Sequence, residues 1–346
     1  MLVVFVRHGE SVNNLRGFMD PEATYEASRD PDPELTWNGI QGGIRCASYL
    51  SRIVTFMNTQ KKKHSDKLEA SGGRKHSESD ILQDAARDTD ALDREAIGQA
   101  LVQDDQGTPL KIRVLCSPFK RAIASADILA AVLPGVTEIA IVPHIHEVGG
   151  LFGSDGGKTA VVGPTAAEIL KSNRVHTRLR AHLNSSSEIT PPAGKATPPA
   201  DEAKVVKQRR EPDGVTEYLA SCRDDIPITA EYLPKSGPWW NRGRERVVEA
   251  ADRAKRFIGE LQSGEFGEGV DALVVIGHGL FLDVIWRQLL GVSEDMDVAF
   301  VTHNWGISTL TVEGGKWTIS CINDASHIPL ESRIPHSVKR IHRTPY

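Results

Sequence analysis

The sequence lacks several features that mark particular classes of protein. Its 346 residues contain no hydrophobic run long enough to span a membrane, and the short apolar start has no basic leader typical of a signal peptide. The net charge of −5 provides no basic surface for nucleic acid. We therefore expect neither membrane nor nucleic acid as a partner. The cysteines are few and scattered, at positions Cys46, Cys116, Cys222 and Cys321. Without Cys-x-x-Cys spacing they predict neither a zinc site nor a disulfide framework, but reduced thiols and a cytoplasmic location.

The first residues of the chain carry its most informative pattern. Met1 to Val6 is a continuous apolar run whose length and β-branching predict a buried strand. It ends at Arg7 and His8, and Gly9 then allows the backbone to approach a ligand. In open α/β sheets ligands bind at the carboxyl ends of strands. The pair predicts a site there, since arginine suits phosphate and histidine can act as a base or nucleophile. The alternative is a strand that ends in two solvated polar residues.

Two further predicted strands are each followed by an arginine or a histidine. Residues 111–116 form a short apolar strand, and Arg121 follows at the start of a predicted helix, where free N–H groups attract anions. Residues 270–276 form a second such strand, followed by His278 between two glycines. The alternatives are an arginine on an exposed helix face and a structural histidine.

A fourth strand, over residues 139–142, leads into a loop with His144, His146, Glu147 and several glycines. A carboxylate on such a loop is a candidate general acid. Two histidines two residues apart on a strand could also share a metal. We rank the metal interpretation low because no second ligand cluster stands out, and we expect no metal and no cofactor.

Strands that alternate with helices predict an α/β fold, with a doubly wound, mostly parallel sheet and helices on both faces. A helix is predicted after Thr36, and Gly314-Gly315 predicts a hairpin between the last two strands. Composition shifts predict two long insertions, at about 59–107, with a helix after Ser79, and at about 184–236. We expect a single catalytic domain over residues 1–325 and a loosely held basic tail over 326–346.

The motifs, taken together, resemble the histidine phosphatase superfamily, in its phosphoglycerate mutase-like branch. The resemblance rests on Arg7-His8-Gly9-Glu10-Ser11 with Asn14, on residues 35–41, on Ser117-Pro118-Phe119-Lys120-Arg121-Ala122, on Gly277-His278-Gly279 and on residues 303–308. It implies that His8 attacks phosphorus and becomes phosphohistidine. It implies that Arg7, Asn14, Arg121 and His278 bind the phosphoryl oxygens, and that Glu147 moves the proton. Glu10 is interpreted as an orienting or structural residue.

This sequence differs from the family pattern in the segment that follows Glu147, the candidate acid. Mutases of this family carry a Glu-Arg-x-Tyr-Gly segment, whereas Glu147 is followed by Val-Gly-Gly-Leu-Phe-Gly. The missing arginine and tyrosine favour a metal-independent phosphomonoesterase, of the histidine acid phosphatase type, over a mutase. A mutase and a catalytically silent scaffold remain alternatives. We expect a phosphorylated small molecule as substrate, with a phosphoprotein as the alternative, and we predict no oligomeric state.

Overall fold

A computed structural model describes residues 1–70, 111–171, 174–175, 177, 222–293 and 296–333. The strands are β1 (Leu2–Arg7), β2 (Ile112–Cys116), β3 (Val136–Ile141), β4 (Val161–Val162), β5 (Ile228–Thr229), β6 (Asn241–Arg242), β7 (Ala272–Gly277), β8 (Ile307–Glu313) and β9 (Lys316–Asp324). The helices are α1 (Val12–Met19), α2 (Glu22–Ala27), α3 (Trp37–Ala70), α4 (Lys120–Val132), α5 (Ala166–Leu170), α6 (Val247–Ser263) and α7 (Gly279–Leu290). Short 3₁₀ turns cover Pro143–Ile145 and Leu330–Ser332.

A seven-stranded sheet with the order β5-β3-β2-β7-β1-β8-β9 forms the centre of the protein. The pairs from β5 to β1 are all parallel, and β8 and β9 add an antiparallel edge. The predicted α/β class with a mostly parallel sheet is confirmed. The fold brings the carboxyl ends of β2, β7 and β1 side by side, although they are far apart in sequence.

Alternate residues of β1 point into two separate hydrophobic clusters, as the period of two requires of a strand. Val4 and Val6 pack in the cluster formed by α3 and α4. Val3 and Phe5 pack in the cluster formed by α6 and α7, where the ring of Phe5 meets Trp286 edge-on at 5.6 Å between centroids. Helices therefore cover both faces of the sheet, as the sequence predicted.

The local signals at two element ends are also confirmed. Thr36 caps α3, because its Oγ1 accepts a hydrogen bond from the backbone N–H of Gly39 at 3.0 Å. The last hairpin turns at Gly314 and Gly315, whose φ angles are 55° and 77°. Positive φ at both positions defines the turn that matches strand twist, and glycine adopts it without a steric cost.

Parts of the second predicted insertion and of the predicted tail have defined structure. The second predicted insertion, 184–236, includes β5, which extends the main sheet beside β3. A strand of two residues is too short to produce a periodic pattern, so it could not be recognised in the sequence. The predicted tail begins inside the packed domain, because Ile328 is only 5% exposed and His327 stacks on Tyr49. The predicted helix after Ser79 lies outside the described residues. Within the ranges given above, no helix is long and apolar enough to cross a membrane.

Candidate active site

Three neighbouring parallel strands place the predicted site residues at one edge of the sheet. Arg7 is the last residue of β1, and His8 follows it, with its backbone N–H donating to the carbonyl of Gly277 at 3.0 Å. His278 follows β7, and Arg121 lies in the first turn of α4, just after β2. Residues from three distant parts of the chain therefore meet, and all of them are buried at 6% exposure or less.

His8 is held in one tautomer. Its Nδ1 lies 2.6 Å from the carbonyl oxygen of Gly9, an acceptor, so Nδ1 carries the proton. Its Nε2 accepts a hydrogen bond from Nε of Arg121 at 3.1 Å, which requires a lone pair on Nε2. A backbone carbonyl therefore fixes the tautomer of His8. Nε2, the nitrogen that faces the cluster, carries the lone pair.

Arg121 connects the two histidines. Besides His8, its Nη2 lies 3.2 Å from Nδ1 of His278, and arginine can only donate. Nδ1 of His278 is therefore an acceptor, and its Nε2 donates to Oγ of Ser117 at 2.8 Å. Burial and the nearby Arg121 charge hold the pKa of His278 well below its usual range, so this histidine is neutral. The ring of Phe119 lies 4.2 Å from Arg121 Cζ and supports the guanidinium.

Arg7 supplies a second buried guanidinium. Its Nη1 donates to the backbone carbonyl of Thr302 at 2.6 Å. Burial lowers the pKa of Arg7 to about 10, and that of Arg121 to about 10 as well. Both groups therefore stay charged at neutral pH. Two buried cations need an anionic partner nearby, and a phosphoryl group meets that requirement.

Glu147 belongs to the loop after β3, and its side chain lies at the amino-terminal end of α7, the helix that begins just after His278. Its Oε1 accepts backbone hydrogen bonds from Val148 at 2.9 Å and from Phe281 at 3.2 Å. Burial raises the pKa of Glu147, against the opposing charges of Arg121 and Arg7. A buried carboxyl with a raised pKa beside cations has the properties of a general acid.

Asn14 is placed differently from the other predicted residues. Its Oδ1 accepts hydrogen bonds from the backbone and hydroxyl of Ser11, in the capping box that starts α1. It also accepts from Nδ2 of Asn304 at 3.2 Å, and the same Nδ2 donates to the carbonyl of His8 at 2.9 Å. Asn14 is thus connected to His8 through Asn304.

The two histidines of the metal interpretation do not share a site. His144 Nε2 lies 2.5 Å from Glu260, whereas His146 Nδ1 lies 2.8 Å from the carbonyl oxygen of Glu147. They belong to a 3₁₀ turn and the loop after it rather than to a strand, so they do not project from one face. Across the described ranges, no group of three or more His, Cys, Asp and Glu side chains could hold a metal ion.

The sequence interpretation missed several residues of the site. Asp32 is one of them, and its Oδ1 accepts from the backbone N–H of Lys120 at 2.9 Å. The ion pair of Glu245 and Arg253 contacts the loop of Glu147. One signal was available, because Arg253 lies on the apolar stripe of α6 between Ala250 and Phe257, where a buried charge requires a partner.

Comparison with known families agrees with this arrangement in the last third of the chain. Residues 223–325 match the sequence model of the histidine phosphatase superfamily (branch 1). The resemblance to this superfamily is confirmed there. The matched range includes His278, whereas Arg7, His8, Arg121 and Glu147 lie outside it. No match was found among curated protein sequences.

Solved structures give more distant likenesses. Bacillus stearothermophilus YhfR is 15% identical, with a TM-score of 0.40, 95% of this chain and 99% of that chain being covered. The alpha-ribazole phosphatase of Shigella flexneri is 14% identical, with a TM-score of 0.38 and coverages of 94% and 96%. The phosphoserine phosphatase of Entamoeba histolytica, in complex with 3-phosphoglyceric acid, is 14% identical, with a TM-score of 0.36 and coverages of 95% and 99%.

The geometry of Arg121 leads to a prediction. Arg121→Lys keeps the charge but loses the planar fork that contacts both histidines, so we expect kcat/KM for a phosphate monoester to fall about 10²- to 10³-fold. Arg52→Lys, at an exposed position of α3, is the matched control and should leave kcat/KM unchanged. A near-normal rate for Arg121→Lys, with an unchanged far-ultraviolet circular dichroism spectrum, would mean that Arg121 does not bind the transferred group.

Proposed function

We propose that the protein is a phosphomonoester hydrolase that acts without a metal, through a phosphohistidine on His8. The observation that carries this proposal is the state of His8. Its Nδ1 is bound to the Gly9 carbonyl, and its Nε2 lone pair points at Arg121. A histidine held in this way among buried cations is suited to attack a phosphorus atom whose oxygens those cations bind.

In the first step, Nε2 of His8 attacks phosphorus in line with the ester oxygen. An N–P bond forms, the P–O ester bond breaks, and Glu147 gives its proton to the departing oxygen. Arg7 and Arg121 bind the phosphoryl oxygens and offset their charge. A phosphoryl oxygen is a stronger acceptor for guanidinium than an imidazole nitrogen, so it competes for Arg121 and leaves the His8 lone pair for phosphorus.

In the second step, the Glu147 carboxylate takes a proton from water, and the oxygen of that water attacks phosphorus. The N–P bond breaks, inorganic phosphate forms, and His8 regains its neutral tautomer. His278 assists through the proton on its Nε2, which donates a hydrogen bond to Oγ of Ser117. The Ser117 hydroxyl can accept this hydrogen bond and donate one of its own, since a hydroxyl does both. Asn14 contributes from the edge of the site, through Asn304.

The pKa of Glu147 supports the finer assignment as a phosphatase of the histidine acid phosphatase type. Burial raises that pKa, so the carboxyl holds its proton to a higher pH than an exposed glutamic acid does. Protonation of the leaving group is therefore expected to persist to a higher pH than an exposed glutamic acid would allow. A small phosphorylated metabolite in the cytoplasm is the proposed substrate.

One observation keeps a phosphoglycerate mutase-type transfer as the second candidate. The segment after Glu147 has no arginine of its own, but Phe152 in that segment is flanked by two guanidiniums from elsewhere. Arg29 Cζ lies 4.0 Å and Arg244 Cζ lies 4.7 Å from the Phe152 ring centroid. Burial is the main cause that lowers the pKa of Arg121, and the positive charge of Arg29 adds to the lowering. The guanidinium of Arg29 is therefore near that of Arg121. A second anionic group of a substrate could bind at this place.

A single experiment separates the candidates. Purified protein with a chelator is given 4-nitrophenyl phosphate and, separately, 3-phosphoglycerate with and without a bisphosphoglycerate primer. Phosphate release from the aryl ester supports hydrolysis. Interconversion of phosphoglycerates without phosphate release supports the mutase. Neither activity would support the silent scaffold, and activity that the chelator removes would contradict the metal-independent mechanism.

A further inference from the structure

We propose that Arg253 and Glu245 are positioning residues that hold the Glu147 carboxyl at the leaving-group oxygen. This inference rests on the proposed function, because it concerns the proton transfer of that reaction. The two side chains form a buried ion pair on one side of the loop that carries Glu147. Neither belongs to the sequence motifs that carry the resemblance.

Arg253 binds the loop before Glu147. Its Nη1 donates to two backbone carbonyls, that of His144 at 2.8 Å and that of His146 at 2.9 Å. The remaining donors of the guanidinium bind Glu245: Nε donates to Oε1 at 3.0 Å, and Nη2 donates to Oε2 at 2.7 Å. The ion pair therefore fixes the backbone on the amino-terminal side of Glu147, one residue away from it.

Glu245 binds the loop after Glu147. Its backbone N–H donates to the carbonyl of Gly149 at 3.0 Å, and its Oε2 accepts from the N–H of Gly149 at 3.4 Å. Gly149 has a φ of 93°, a conformation that favours glycine. The pair of side chains thus fixes the loop on both sides of Glu147.

Arg253 also contacts the other support of the Glu147 carboxyl. Its Cζ lies 4.3 Å from the ring centroid of Phe281, whose backbone N–H donates to Oε1 of Glu147. Two supports of the carboxyl, the loop arm before Glu147 and the first turn of α7, therefore share one guanidinium, and Glu245, its ion-pair partner, holds the arm after Glu147. A shift of that guanidinium moves the carboxyl relative to His8 and its cations.

This arrangement predicts an effect that depends on the leaving group. An alkoxide leaves poorly and needs the proton of Glu147, so displacement of the carboxyl slows its release. Nitrophenolate is a stable anion and leaves without that proton. We call the ion pair of Arg253 and Glu245 the clamp. Loss of the clamp is expected to lower kcat/KM for an alkyl phosphate and to leave kcat/KM for an activated aryl phosphate nearly unchanged.

The test compares kcat/KM for glycerol 3-phosphate and 4-nitrophenyl phosphate in four proteins: wild type, Arg253→Met, the double variant Arg253→Met/Glu245→Gln, and Glu147→Gln. For the two clamp variants we expect a fall of about 10- to 100-fold with the alkyl ester and less than about threefold with the aryl ester. The double variant leaves no unpaired buried charge, so it keeps the test open if Arg253→Met does not fold. Arg246→Met, at the exposed arginine just before α6, is the matched control and should change neither value.

Each outcome decides between the proposals. Equal losses with both esters in a folded clamp variant would make the pair purely structural, and no loss with either would remove its role; both results overturn the inference. If Glu147→Gln itself shows no dependence on the leaving group, the assignment of Glu147 as the acid fails instead. If wild type hydrolyses neither ester, the proposed function fails, independently of the clamp.

Discussion

Replacement of His8 by alanine is expected to reduce phosphatase turnover by at least about 10³-fold, and to abolish the covalent intermediate. The reason is that, in the part of the chain that the structure describes, the other histidine of the site is not placed to take over its role. The neighbouring His278 is neutral, but its nitrogens are engaged with Arg121 and Ser117 rather than directed by a backbone carbonyl. Turnover of 4-nitrophenyl phosphate and acid-labile phosphate on the denatured protein are the two measurements.

A matched control for this prediction lies elsewhere in the chain. His327 stacks on Tyr49 at 4.8 Å, and its replacement by glutamine is expected to leave both measurements unchanged. Wild type should give an acid-labile phosphoprotein within the first turnover, and His8→Ala should give none. Turnover by His8→Ala at the wild-type rate would show that His8 is not the nucleophile.

The second large effect concerns Glu147 and pH. As a general acid, Glu147 must be protonated. We therefore expect kcat/KM for an alkyl phosphate to be high below the pKa of Glu147 and to fall as the pH rises through that pKa. Because burial raises this pKa above the ordinary 4.5, the falling limb should lie at a higher pH than an exposed carboxyl would give. Glu147→Gln is expected to lower kcat/KM by about 10²- to 10⁴-fold and to remove that limb.

Asp32 supplies the control that makes the pH profile interpretable. Burial raises its pKa to about 6, against the positive charge of Arg121, so Asp32 is a second titrating carboxyl close to the site. Its Oδ1 caps the first N–H of α4 rather than contacting His8. Asp32→Asn is expected to keep the falling limb. If the limb disappears with Asp32→Asn and persists with Glu147→Gln, the acid has been assigned to the wrong carboxyl.

Much of the fold could be predicted because its strands are buried on both sides. A strand such as β7 must be apolar at every position, and this gives a continuous run that is visible in the sequence. The edge strand β5 has two residues and half-buried side chains, so it leaves no such run, and the predicted insertion covered it. Insertions are recognised by composition, which does not mark where the chain rejoins the sheet.

The site could be predicted where a residue follows a strand directly. Arg7, His8 and His278 fall into this class, and Arg121 follows only a few residues later. Glu245 and Arg253 do not, because they act through backbone atoms of a loop about a hundred residues away in sequence. Nothing in the local pattern of α6 names that loop as their partner, although a charge on the apolar stripe shows that some partner exists.

The sequence by itself determined the class of fold and the positions of Arg7, His8 and His278 at the ends of strands. Only the tertiary structure decided which atoms meet, namely Nδ1 of His8 with the Gly9 carbonyl, Nε2 with Arg121, and the Glu147 carboxyl with the first turn of α7. The physical reason is that hydrophobic periodicity is encoded residue by residue. Hydrogen-bond partners distant in the chain are instead selected by packing, once burial has made every unpaired polar group costly.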